Sequence, residues 1–143
     1  MIRLGTTYIC VKNMEKSINF YKLLLQQDPI YMNEERWVTF KCGQTVSLYN
    51  KEYDQKIIEN HKCFNQAYID DFFIEDDEKK NNIMILNFEV DNLKAEYERL
   101  LSLNIGEVSK LMYVNVHMPY WYFNIKDPDG NILEITGDFE ENK

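Results

Sequence analysis

The sequence lacks a basic excess, a long apolar run and a paired cysteine spacing, and each absence removes a class of function. Lys plus Arg number 16 against 24 Asp plus Glu, a net charge of −8 over 143 residues. A reader of nucleic acid needs a basic patch against the phosphates, so that partner is excluded and cationic small molecules are favoured. No stretch approaches the roughly 18 apolar residues of a membrane-crossing helix, and mean hydropathy is −0.49. Cys10, Cys42 and Cys63 are odd in number and far apart, without a C-x-x-C, so neither a disulfide framework nor a zinc knuckle is indicated. They are expected to be buried, reduced thiols. The opening Met1-Ile2-Arg3-Leu4-Gly5-Thr6-Thr7 carries no secretory apolar stretch, which points to a cytoplasmic protein.

What is present suffices for a packed core. Hydrophobic residues make up 45% and aromatics 14%, too apolar for a disordered chain, and a length near the roughly 150 residues of one domain predicts a single compact body. Residues 6–11 are β-branched and aromatic. Asn13 is placed to cap a helix whose apolar positions Met14, Ile18, Tyr21 and Leu25 recur at helical spacing. Residues 36–42 and 44–49 read as strands on either side of Gly43, and Tyr31 can start another.

The pattern then recurs. Residues 83–90 alternate as a strand, with Met84, Leu86, Phe88 and Val90 on one face. Leu93, Tyr97, Leu100 and Leu101 form an amphipathic stripe that stops near Asn104 and Gly106. Strands follow near 111–116, 120–126 and 131–136. Aligning Val11 with Val90 gives 90 − 11 = 79, and Gly43 with Gly130 gives 130 − 43 = 87, so two β-α-β-β-β units repeat with about eight extra residues in the second. The first module covers about 1–53 and the second about 83–138. Residues 54–82 show no clear period and read as a linker, with the acidic run from Asp70 to Glu78 a solvated loop, or alternatively a lid or dimer arm.

Two local signatures carry a family resemblance. One is Val11-Lys12-Asn13-Met14-Glu15 leading to Phe20-Tyr21; the other is Phe123-Asn124-Ile125-Lys126-Asp127-Pro128-Asp129-Gly130-Asn131-Ile132-Leu133-Glu134-Ile135. Taken with the repeat, they make the chain resemble the vicinal oxygen chelate superfamily, the group of glyoxalases, bleomycin-resistance proteins and extradiol dioxygenases. The resemblance implies an α+β fold of tandem βαβββ modules whose sheets curl into a cup, and a homodimer. In metal-dependent members it also implies ligands at positions that correspond here to Thr6, Ser47, Ile85 and Glu134. Ile85 carries no donor and only Glu134 is a usual ligand, so no metal and no cofactor are expected.

Alternation assigns a cavity face. Thr6, Tyr8, Cys10, Thr45, Ser47 and Tyr49 share it in the first module, and Ile85, Asn87, Ile132, Glu134 and Thr136 in the second. Trp37 and the aromatic cluster around Tyr120 and Tyr122 add flat, polarisable surface for a planar ligand or a cation. His117 lies in a loop or strand edge where proton transfer is conceivable, although a solvated histidine is the plainer interpretation; His61 has less to recommend it. The candidate ligand-binding residues are therefore Trp37, Ser47, Tyr49, His117, Tyr120, Tyr122 and Glu134, with no catalytic residue assigned. The favoured function is a metal-free small-molecule-binding protein that sequesters an aromatic or cationic compound, as in the resemblance to bleomycin-resistance proteins. The alternative is a glyoxalase-like, metal-dependent lyase or isomerase with atypical ligands.

Overall fold

The computed structural model describes residues 6–60, 63–64, 66–73, 85–115 and 119–140. The contacts divide the chain into two compact units, residues 1–18 with 27–84 and residues 19–26 with 85–143. Helix α1 (Met14–Leu25) begins in the first unit and ends in the second.

The first unit holds β1 (Thr7–Val11), β2 (Tyr31–Asn33), β3 (Trp37–Cys42) and β4 (Gln44–Asn50), followed by the short helices α2 (Lys51–Ile57) and α3 (Gln66–Phe72). Its sheet runs β1-β4-β3-β2, with β1 parallel to β4 and the other pairs antiparallel. The β-branched and aromatic content of β1 and β3 suits a pleated, half-buried surface. The Asn13 side chain accepts from the Lys16 amide at 3.0 Å, capping α1 as its position predicts. Gly43 takes φ +78 and Gly130 φ +81, so the two aligned glycines make the same left-handed turn. One face of the sheet is apolar, with Val38, Phe40, Val46 and Leu48 buried.

The second unit repeats the plan with β5 (Leu86–Val90), α4 (Leu93–Leu103), β6 (Met112–Asn115), β7 (Pro119–Lys126) and β8 (Ile132–Gly137). Its order is β5-β8-β7-β6, again with the first strand parallel to the last. Asn92 caps α4 by accepting from the Ala95 amide, and Asn104 ends it in the left-handed conformation at φ 49. Phe123, Ile125, Leu133 and Ile135 are buried with Leu93, Leu100, Phe20 and Tyr21. Arg99 donates to the carbonyls of Leu23 and Leu24, each at 2.7 Å, satisfying the otherwise open C-terminal end of α1.

The two sequence signatures meet inside this unit. The Tyr21 hydroxyl donates at 2.8 Å to the Asp127 carboxylate, which also accepts from the amides of Asp129 and Asn131 and from the Asn131 side chain. Burial, then the neighbouring Asp127 charge, pushes the Tyr21 phenol well above its usual range. The turn carboxylate is thus a junction that locks the final hairpin to α1, across 106 residues of sequence.

One expectation gains detail and one needs correction. Residues 54–82, read as a linker, carry part of α2 and all of α3 where they are described. The helices are short and rest on polar anchors, so they leave no apolar period. Cys10 and Cys63 are exposed and Cys42 is half-buried, so the thiols are reduced but not core. Alternation puts Cys10 on the polar face, opposite Tyr49 of β4. Burial pushes the Cys42 thiol up. His61, His117, residues 83–84 and most of the acidic run fall outside the described residues.

Candidate functional site

The polar face of the first sheet brings three aromatic rings together. Tyr8 on β1, Trp37 on β3 and Tyr49 on β4 lie side by side because Tyr49 pairs with Trp37 and neighbours the Tyr8–Ser47 pair. Ring centroids are 5.2 Å apart for Tyr8 and Trp37, and 6.2 Å for each of the other two pairs. These are ordinary distances for favourable tilted and edge contacts. Tyr8 is 55% exposed and Trp37 and Tyr49 are half-buried, so the trio presents a partly open aromatic surface.

Hydroxyls fill the space beside the rings. Trp37 Nε1 donates to Thr39 Oγ1 at 2.9 Å, Thr39 and Ser47 share a bond at 2.8 Å, and Ser47 and Thr6 share one at 3.1 Å. Thr45 donates to Thr6 at 2.7 Å, and Thr6 donates to the Thr45 carbonyl at 3.2 Å. Ser47, predicted to touch ligand, is completely buried and stands beneath the face as the middle of this row.

A carboxylate backs the rings. Asp54 on α2 has no exposed surface and accepts from Tyr49 at 2.7 Å, from Tyr68 on α3 at 2.6 Å, and from Arg36 at 2.7 and 3.0 Å. Burial alone would raise the Asp54 pKa, but the donors of Arg36, Tyr68 and Tyr49 outweigh it and hold the carboxyl below the usual range. Arg36, bound to that carboxylate, stays protonated and lies 5.5 Å from the Tyr49 ring centroid. Burial, followed by the bonds to Tyr68 and Asp54, pushes the Tyr49 phenol far up. Tyr68 also stacks on Phe64 at 4.8 Å and neighbours Phe72 at 6.2 Å, extending the aromatic surface along α3. Sequence reasoning missed Asp54, Arg36 and Tyr68. The signals open to it were an arginine directly before the Trp37 strand and a tyrosine and aspartate within an otherwise unpatterned segment.

The second unit carries the equivalent polar face. Asn87 lies opposite Glu134 as Tyr8 lies opposite Ser47, and its amide donates to Glu134 at 2.9 Å and to Thr136 at 3.3 Å. Tyr122 pairs with Thr136 and Asn124 with Glu134 on neighbouring β7, with the Tyr120 and Tyr122 rings 5.8 Å apart. Trp121 faces the other way, against Tyr113 and Phe139. Of the predicted residues, Trp37, Ser47 and Tyr49 thus gather in the first unit, and Tyr120, Tyr122 and Glu134 in the second.

The positions aligned with metal ligands do not suit a metal. The Thr6 and Ser47 hydroxyls bond to one another, Ile85 offers no donor and is 58% exposed, and Glu134 is held by a neutral amide. Transition metals in proteins require several converging imidazole, thiolate or carboxylate groups, and among the described residues no three such side chains converge. No helix among the described residues is long and apolar enough to cross a membrane.

Comparison with known proteins agrees with this architecture. The glyoxalase-like domain family matches residues 4–140, so the chain belongs to that family, within the vicinal oxygen chelate superfamily. Solved structures share the fold at low identity. A lactoylglutathione lyase from Agrobacterium tumefaciens is 17% identical, with 94% of this chain and 92% of that one covered and a TM-score of 0.62. A glyoxalase/bleomycin resistance protein/dioxygenase family enzyme from Burkholderia phytofirmans PsJN is 12% identical, covering 93% and 96%, at 0.63. A glyoxalase-related enzyme from Fulvimarina pelagi is 16% identical, covering 98% and 89%, at 0.62. No curated protein matches the chain.

Proposed function

We propose that this chain is a small-molecule-binding member of the glyoxalase-like family that sequesters a planar aromatic or cationic compound without a metal. The observation that carries the reading is the trio of exposed Tyr8 with half-buried Trp37 and Tyr49, with ring spacings suited to stacking and to holding a cation over a π face. Its support is rigid. Tyr49 is tied to a buried carboxylate and Trp37 to Thr39, so little side-chain freedom remains to be lost on binding. The donor sets at Thr6, Ser47, Ile85 and Glu134 leave the family's metal-assisted chemistry without its usual ligands, and the net charge of −8 favours cations. Tyr120, Tyr122 and Glu134 form a second polar and aromatic surface on which such a compound can also be held.

Calorimetric titration of the full chain with bleomycin-type and other cationic aromatic compounds, beside a Trp37→Ala variant, tests the reading. Saturable heat that falls at least tenfold in affinity in the variant is expected. Uniform absence of heat overturns it. Turnover of a hemithioacetal in the presence of added nickel or zinc would replace it with the lyase reading named by the Agrobacterium relative.

A further inference from the structure

The bonding row on the first sheet can be solved for the direction of every proton. Carbonyl oxygens only accept, so the Thr6 proton goes to the Thr45 carbonyl at 3.2 Å or the Thr7 carbonyl at 3.3 Å. The bond between Thr6 and Ser47 must then use the Ser47 proton, and the bond between Ser47 and Thr39 the Thr39 proton. Thr45 gives its own proton to Thr6, and Trp37 Nε1, which can only donate, gives its proton to Thr39. Whichever carbonyl takes the Thr6 proton, each hydroxyl proton of the row is spent on a protein acceptor. The same holds behind the rings. A carboxylate only accepts, so Tyr49, Tyr68 and Arg36 all donate to Asp54.

Lone pairs and π faces are what this row still offers. Thr39 accepts from Trp37 alone and Thr45 from neither neighbour, and both are part-exposed. The one phenol outside the row is Tyr8 at the rim, whose hydroxyl can donate or accept. The Arg36 charge beside Tyr49 is balanced by its two bonds to Asp54.

We infer that the Tyr8–Trp37–Tyr49 face is built to accept hydrogen bonds and so selects aromatic cations that bring their own N–H donors, against aromatic anions of the same shape. This inference deepens the binding reading above and rests on it. An anion placed over the rings meets π clouds and the unpaired lone pairs of Thr39 and Thr45, with no donor in the hydroxyl row to replace its lost water, whereas an aromatic ammonium or amidinium meets partners for both its charge and its protons.

The test is calorimetric titration of the full chain with 1-naphthylmethylammonium, 1-naphthalenemethanol and 1-naphthoate, at low salt and at about 0.5 M salt, where screening largely removes the contribution of the overall negative charge. The ammonium is expected to bind at least tenfold more tightly than the alcohol, and the naphthoate most weakly, with the order kept at high salt. Thr39→Val frees the indole N–H and removes an acceptor, and Ser47→Ala leaves the Thr39 proton unspent. Each variant, checked for folding by thermal melting, is expected to lower the ammonium-to-naphthoate preference at least threefold. Naphthoate or alcohol binding as tightly as the ammonium at high salt overturns the inference while leaving the aromatic-binding reading standing, as does an unchanged preference in both variants. Absence of binding by all three compounds overturns the reading itself.

Discussion

The two polar sheet faces have the same topology and aligned registers, yet they are finished differently. On the first, Tyr8 pairs with Ser47, Tyr49 reaches a buried carboxylate, and the hydroxyl protons run into one another in a closed row. On the second, Asn87 pairs with Glu134, a half-buried carboxylate held by a single amide group that also reaches Thr136. The source of the difference is local. Strand β4 runs into α2, which carries Asp54 under the face, whereas β8 is followed by residues 138–140 with no helix. A repeated backbone plan therefore sets where side chains stand, while a short insertion decides whether a face is braced.

Removal of the brace should show the largest effect. Asp54→Ala strands the Arg36 charge and the Tyr49 and Tyr68 phenols, and breaking a buried pair of this kind costs about 3 kcal/mol, somewhat reduced here because Arg36 is 34% exposed. Urea unfolding monitored by circular dichroism should show the midpoint falling accordingly. A midpoint within error of the parent chain would mean that α2 is dispensable to the first face.

Next in size is the junction of the second unit. Tyr21→Phe removes one donor from the buried Asp127 carboxylate and should cost about 1–2 kcal/mol, measured in the same way. Because the turn amides still bind Asp127, an effect as large as that of Asp54→Ala would show that the two carboxylates are not unequal anchors.

The pH dependence should also separate the two faces. The folded Asp54 carboxyl titrates below its ordinary value near about 4. Its contribution to stability is thus fully present above that value and is lost as the pH falls through the lower folded one. Thermal melts of the parent chain should fall off below about pH 4, and Asp54→Asn should flatten that acid limb while lowering the plateau. An acid limb of equal steepness in Asp54→Asn would assign it to other carboxylates.

The smallest change is expected at Glu134→Gln. This side chain accepts from an exposed amide and the substitution keeps its shape, so stability should stay within about 0.5 kcal/mol. A loss near that of Asp54→Ala would erase the contrast between the faces.

Alternation and turn chemistry read along the chain placed much of this molecule. The helix cap at Asn13, the paired glycine turns, the register that sets Ser47 and Glu134 at matching places, and the shared face of Tyr8, Ser47 and Tyr49 all follow from neighbours a few residues apart. Local preferences act over that range, so sequence alone determined the strands, their faces and the tandem plan. The burial of Asp54, the joining of Tyr21 to Asp127 and the direction of each proton beside Trp37 were decided by the tertiary structure. Each depends on which donors meet an acceptor across separate elements, and a carboxylate in a short polar helix has the same local pattern whether it ends in water or beneath an aromatic face.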